Sequence, residues 1–130
     1  MGARRPRPVV LDTGALIAFE RNDERVLRLI ELALERAVPV HVPACVIAQA
    51  WRDGRRQVRL GRFIESGWLA VTALDLHEAK GAGVLCARSR TADVVDASVV
   101  LLARRHGAVV VTSDPDDIRR LDDRLEVFVC

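Results

Sequence analysis

Three short apolar runs in this chain each open directly into a helix signal. Val9 to Leu11 precedes Asp12, Val40 to Val42 precedes Pro43, and Ala108 to Thr112 precedes Ser113-Asp114-Pro115. Continuous runs of this length, without polar alternation, suit strands buried on both faces, as in a parallel sheet. Between them the pattern is helical: Val26, Leu27, Ile30, Ala33, Leu34 and Ala37 recur at helical spacing after Asp23, and Pro39 stops them. Strands alternating with helices this regularly predict a three-layer α/β/α fold around a mainly parallel sheet.

The remaining elements follow the same grammar. A helix is expected from about Ala15, after the Thr13-Gly14 turn, and another over PACVIAQAWR with Pro43 in its first turn. Arg52 to Ser66 reads as helical, divided near Gly54. Trp68 to Leu74 reads as a strand, and Asp75 caps a helix through Leu85 that Gly81 and Gly83 weaken while permitting close packing. An acid-led helix opens at Asp93 and ends at Gly107, and Leu125 to Val129 supplies the last strand.

The acids need a reason. Asp12 ends the first strand, Asp93 and Asp96 share one helix face, and Asp114, Asp116 and Asp117 follow the strand at Ala108 to Thr112. Singly, each fits a capping role: Asp12 before its helix, Asp93 with Asp96 as a box-like pair, Asp114 with Pro115 at the first helical position. Together they do not, because an open α/β sheet gathers its ligands beyond the carboxyl ends of its strands. That edge is where Asp12 and Asp114 fall. Carboxylates brought within ~4 Å repel by about 4 kcal/mol per pair at an effective dielectric near 20, so such a cluster makes sense around a cation.

The totals agree with a single domain. The chain has 130 residues, 50% hydrophobic and 29% charged, with a net charge of +2. This is long enough for a real core and neither demands nor excludes nucleic acid. Cys45, Cys86 and Cys130 are odd in number and widely spaced, which argues against a disulfide framework or a structural zinc site and favours a reducing, cytoplasmic setting. No stretch approaches the roughly 18 apolar residues of a membrane span, and Asp12 interrupts the first apolar run too early for a signal peptide. Residues 1–7 read as a flexible basic arm held off by Pro6 and Pro8, and 8–130 as the domain.

LDTGALIAF, VPACVIAQAWR, DVVDASVVLLARRHG and VVVTSDPDDIRRL, in that order, resemble the motifs of a PIN domain, and most closely the VapC toxins of bacterial toxin–antitoxin pairs. The resemblance implies a metal-dependent endoribonuclease. Carried over position by position, it makes Asp12, Asp96 and Asp114 the catalytic metal ligands. Asp117 and Asp93 become additional acids for a second metal or its water shell, and Thr13 and Ser113 orient carboxylates or water. It further implies Mg²⁺ or Mn²⁺, an RNA substrate, a cognate antitoxin and a homodimer. One site departs from the pattern: Gln49 stands where the family usually has Glu. An amide oxygen can ligate Mg²⁺ but brings no charge and cannot act as a base, so one tight ion is expected, with a second arriving with substrate.

No histidine is placed as a base. His41 falls in a strand, and His77 and His106 fall on helices away from the acids. Arg52, Arg55, Arg56, Arg59 and Arg62 recur at spacings of three and four, so a continuous helix would align them beside Gln49 as an RNA-binding stripe. The competing expectation is a PIN-like module that lost efficient catalysis with Gln49 and binds RNA or protein. A phosphoryl-aspartate enzyme built on Asp12 fits poorly, because the haloacid dehalogenase pattern wants an acid at position 14 and finds Gly14.

Overall fold

The computed structural model describes residues 6–130. Val9–Leu11 (β1), Val40–Pro43 (β2), Leu69–Thr72 (β3), Val109–Thr112 (β4) and Val127–Val129 (β5) form one sheet in the order β3-β2-β1-β4-β5, every neighbouring pair parallel. The helices between them are Thr13–Glu20 (α1), Glu24–Glu35 (α2), Ala44–Ala50 (α3), Val58–Glu65 (α4), Leu76–Ser89 (α5), Val94–His106 (α6) and Pro115–Leu121 (α7). Right-handed crossovers fix the layers. The steps from β1 through β2 to β3 run one way and set α1 to α4 on one face. The steps from β3 to β4 and β5 run back and set α5 to α7 on the other. Packing agrees in the main, since α1 contacts α2, α3 and α4 and α6 contacts α5 and α7, with α3 also reaching α6. The expected three-layer α/β fold is therefore the one observed.

The reversal of direction falls between β1 and β4, the place where open α/β sheets form their ligand crevice. These two strands are central, which explains their unbroken apolar runs. Val10, Leu11, Val110 and Val111 are fully buried, each worth about 1.5–3 kcal/mol relative to exposure. The register Leu11↔Val111 brings the ends of β1 and β4 level, and the Asp12 N–H continues the ladder to the Val111 carbonyl at 3.1 Å. Residues just after both strands thus emerge side by side.

α6 supports that edge from the second face. Ala97, Val99, Val100, Leu102 and Ala103 are buried, and the helix packs on β1 and β2. Gly107 ends it at φ 61°, a left-handed conformation that glycine adopts without steric cost. Arg104 reaches Asp122, beyond α7, at 2.6 Å. Burial opposes the Asp122 charge, yet the Arg104 and Arg124 guanidinium groups hold its carboxyl below the usual range. This clamp fixes α7 against α6.

Several local expectations are corrected. Arg52 to Ser66 is not a helix broken near Gly54: α3 ends at Ala50, and only Val58–Glu65 is helical. The reason is Gln57, whose buried Oε1 accepts from the N–H groups of Arg52 (2.6 Å) and Asp53 (2.9 Å) while its Nε2 donates to the Ala50 carbonyl. Pro43 closes β2 and precedes α3 instead of sitting in the helix's first turn. α5 continues through Gly81 and Gly83 to Ser89. A Cβ on Gly81 would lie 3.2 Å from Leu101, so that glycine does permit the close α5–α6 packing expected of it.

Residues 1–5 of the basic arm lie outside the described residues. Arg7 is not loose: it donates to the Gly107 carbonyl at 3.1 and 3.2 Å and pairs with Glu126. The three cysteines are free, and burial pushes the Cys130 thiol up to about 11, far from a reactive thiolate. No helix among the described residues is long and apolar enough to cross a membrane. His41 and His106 stack at 3.9 Å between ring centroids, a pairing the sequence does not reveal.

Candidate functional site

A cleft of about 250 Å³ opens at the β1/β4 edge, lined by Asp12, Thr13, Gly14, Ile17, Gln49, Asp93, Asp96, Ser113, Asp114 and Asp117. Each acid arrives on a different support. Asp12 follows β1 directly and caps α1, its Oδ1 accepting from the Ala15 N–H at 2.9 Å. Asp114 follows β4 and precedes Pro115, and its carboxylate makes no capping bond, so it stays free for the cleft. Asp93 caps α6 by accepting from the Asp96 N–H at 2.9 Å, which projects Asp96 from the first turn. Asp117 comes from the first turn of α7. Capping and convergence are compatible: Asp12 and Asp93 do both.

The electrostatics match the crowding. Burial pushes the Asp96 carboxyl up to about 7, reinforced by the charges of Asp93, Asp117 and Asp12. Asp12, only 5% exposed, is also raised, first by burial and then by the Asp114 charge, against hydrogen bonds from Thr112 and Ala15 that favour its ionised form. Acids whose ionised form is disfavoured in this way lack a compensating positive charge. All the charged donors are hard oxygens, the kind Mg²⁺ and Mn²⁺ prefer. Among the described residues no three or more acids, histidines or cysteines are grouped closely enough to hold a metal ion as the side chains lie.

Gly14, expected from the sequence only to turn the chain into α1, also permits a close approach at the cleft. A Cβ there would lie 2.0 Å from Ser113 Oγ and 3.2 Å from the Ser113 backbone nitrogen. The start of α1 and the end of β4 approach so closely that no side chain fits between them. Gly14→Ala is expected to cost about 1–3 kcal/mol of stability through overpacking and to spread Asp12 from Asp114. Denaturant unfolding checks the first effect, and an unchanged midpoint would contradict this packing.

Other candidates behave differently. Thr13 Oγ1 donates to Gln49 Oε1 at 2.6 Å, so these two residues form one unit on the cleft wall. Ser113 Oγ leans toward Asp114 Oδ2 at 3.5 Å. The arginine stripe is not a single face: Arg52, Arg55 and Arg56 lie in the turn before α4, while Arg59 and Arg62 are on α4. Arg59 covers the Phe19 ring at 5.0 Å, and none of the five lines the acid cleft. Arg120, which the sequence reading passed over, lines an adjoining pocket with Thr91, Asp93, Asp96 and Asp117. A larger cavity, about 630 Å³, lies elsewhere, between α2 and β5. Among the described residues its lining is mainly apolar and arginine side chains, with Glu24 the one acid and none of the candidate residues.

Comparison with known proteins gives the family and the fold. Residues 9–124 match the PIN domain family. No curated protein sequence matches the chain. In fold it is similar to VapBC2 from Rickettsia felis bound to a DNA fragment from its promoter, with a TM-score of 0.70 and 15% identity, covering 95% of this chain and 98% of that one. DNA-bound VapBC from Salmonella typhimurium gives 0.67 at 21% identity, covering 95% and 98%. VapC20 of Mycobacterium tuberculosis, described as a sarcin-ricin loop cleaving toxin, gives 0.60 at 20%, covering 78% and 86%. The match from the first strand almost to the last places this chain in the PIN domain family.

Proposed function

We propose that the protein is a metal-dependent endoribonuclease, the toxin of a toxin–antitoxin pair. One observation carries the reading: Asp12, Asp96 and Asp114, from three distant segments, line a single cleft at the switch point of the sheet. Asp12, Asp96 and Asp114 would hold Mg²⁺ or Mn²⁺, with Asp117 and Asp93 beside them. Bound there, the ion would acidify a water for in-line attack on a phosphodiester and offset charge on the leaving oxygen.

The chain's own residues supply position and charge. Asp12, fixed by the Ala15 N–H, and Asp96, projected by the Asp93 cap, set two carboxylates on rigid elements. Asp114, uncommitted to capping, adjusts to close the site. Above pH 7 Asp96 gives up its proton, which readies the cleft for a cation. Arg52, Arg55, Arg56 and Arg59 serve RNA binding only as an extended basic margin, since they do not share one helix face. The similar VapBC structures were determined as complexes, which supports a cognate antitoxin as partner; the homodimer is what the family resemblance implies, and the cytoplasmic setting is what the three scattered cysteines suggest.

Incubating the purified protein with structured RNA and Mg²⁺, beside an EDTA control, tests the activity. Metal-dependent fragments are expected. A second reading rests on Gln49, which removes one charge from the cleft: a PIN-fold module that binds RNA or protein without cutting. Tight RNA binding with no fragments across many RNAs and both metals would favour it.

A further inference from the structure

We propose that Gln49 is a substrate-binding residue, whose side-chain N–H groups donate to a non-bridging phosphate oxygen of RNA lying in the acid cleft, and that its oxygen is not a metal ligand. The inference rests on the nuclease reading above. It starts from the 2.6 Å hydrogen bond in which Thr13 Oγ1 donates to Gln49 Oε1. That bond takes up one of the two lone pairs of the one Gln49 atom able to ligate a hard cation and holds that oxygen toward Thr13. It also leaves the amide nitrogen, with two N–H donors, on the other side of the same carbon. Gln49 is exposed and lines the cleft, so these donors are available to whatever the cleft holds.

The other polar side chains of the wall are less suited to that function. Asp12, Asp96 and Asp114 are acceptors when ionised, Thr13 spends its proton on Gln49, and Ser113 leans toward Asp114. A phosphodiester entering such a cleft meets like charge from several directions. A cation offsets part of that repulsion, and a neutral donor on the wall adds attraction without adding charge. Glutamate at this position would accept the Thr13 hydrogen bond equally well, yet it would present one more anion to the phosphate. The amide therefore favours the substrate where a carboxylate would favour the metal.

Wild type, Gln49→Ala and Gln49→Glu can be titrated with Mn²⁺ alone, and separately with a single-stranded RNA oligonucleotide in Ca²⁺ buffer. Gln49→Ala is expected to keep Mn²⁺ affinity within about twofold and to weaken RNA binding about tenfold, the loss of one hydrogen bond to a charged group. Gln49→Glu is expected to tighten Mn²⁺ and to weaken RNA further than alanine does. An alanine variant that loses Mn²⁺ affinity while binding RNA normally makes Gln49 a ligand and overturns the proposal, leaving the nuclease reading in place. Wild-type protein that binds neither probe overturns both. Thermal melts of the variants verify that this exposed position leaves the fold intact.

Discussion

Asp96→Asn is expected to slow RNA cleavage by about a thousandfold and, in metal-free buffer at pH 8, to raise the melting temperature. The first effect follows from losing a charged ligand, which removes several kcal/mol of transition-state stabilisation. The second follows from the crowding of the cleft. Burial, with Asp93, Asp117 and Asp12 behind it, lifts the Asp96 carboxyl from 3.8 to about 7. Between those values the folded protein keeps a proton that the unfolded chain releases. Stability therefore declines as pH rises from about 4, and the decline is complete above about 7. At about 1.36 kcal/mol per pH unit the shift corresponds to a loss of about 4 kcal/mol, reduced to the order of 3 kcal/mol by solvent screening of this half-buried side chain, and Asp12, raised in the same direction, adds to it. Asparagine cannot ionise, so most of this loss disappears in the variant. Thermal melts of both proteins at pH 5 and pH 8 measure it. A variant equally destabilised at both pH values, or one that still cuts RNA at the wild-type rate, would contradict the role of Asp96.

The second large effect is metal-dependent stabilisation. A ligand that binds only the folded state contributes about 2.7 kcal/mol at a hundredfold excess over its dissociation constant, roughly 10 °C for a domain of this size. The increase is expected to grow from pH 6 to pH 8, because binding must displace the Asp96 proton. It is expected to shrink sharply in the Asp96→Asn and Asp114→Asn variants. A melting temperature unchanged from zero to tens of millimolar Mg²⁺ and Mn²⁺ would count against an occupied site.

Much of this arrangement was legible in the sequence because burial writes itself into residue type. β1 and β4 are covered on both faces, so their runs are unbroken valine and leucine, and the acids just beyond them mark the strand ends. The Asp93 cap was readable because it is local, three residues from its partner. The arginine stripe failed for the opposite reason. The spacing of Arg52 to Arg62 suits a helix, but Gln57 closes a turn through bonds to Ala50, Arg52 and Asp53 that helical periodicity does not encode. Edge strands were overestimated too: Trp68 to Leu74 shrank to Leu69–Thr72, and Leu125 to Val129 to Val127–Val129, since a strand with one neighbour pairs over less of its apolar run. Gly14 and the His41–His106 stack depend on segments that meet only in the fold.

Locating Mn²⁺ by anomalous scattering in crystals grown at pH 8 probes the shared-ion claim most directly. The account predicts a peak within about 2.5 Å of carboxylate oxygens from Asp12, Asp96 and Asp114. Full Mn²⁺ occupancy at other residues, with these three side chains pointing apart, would contradict it.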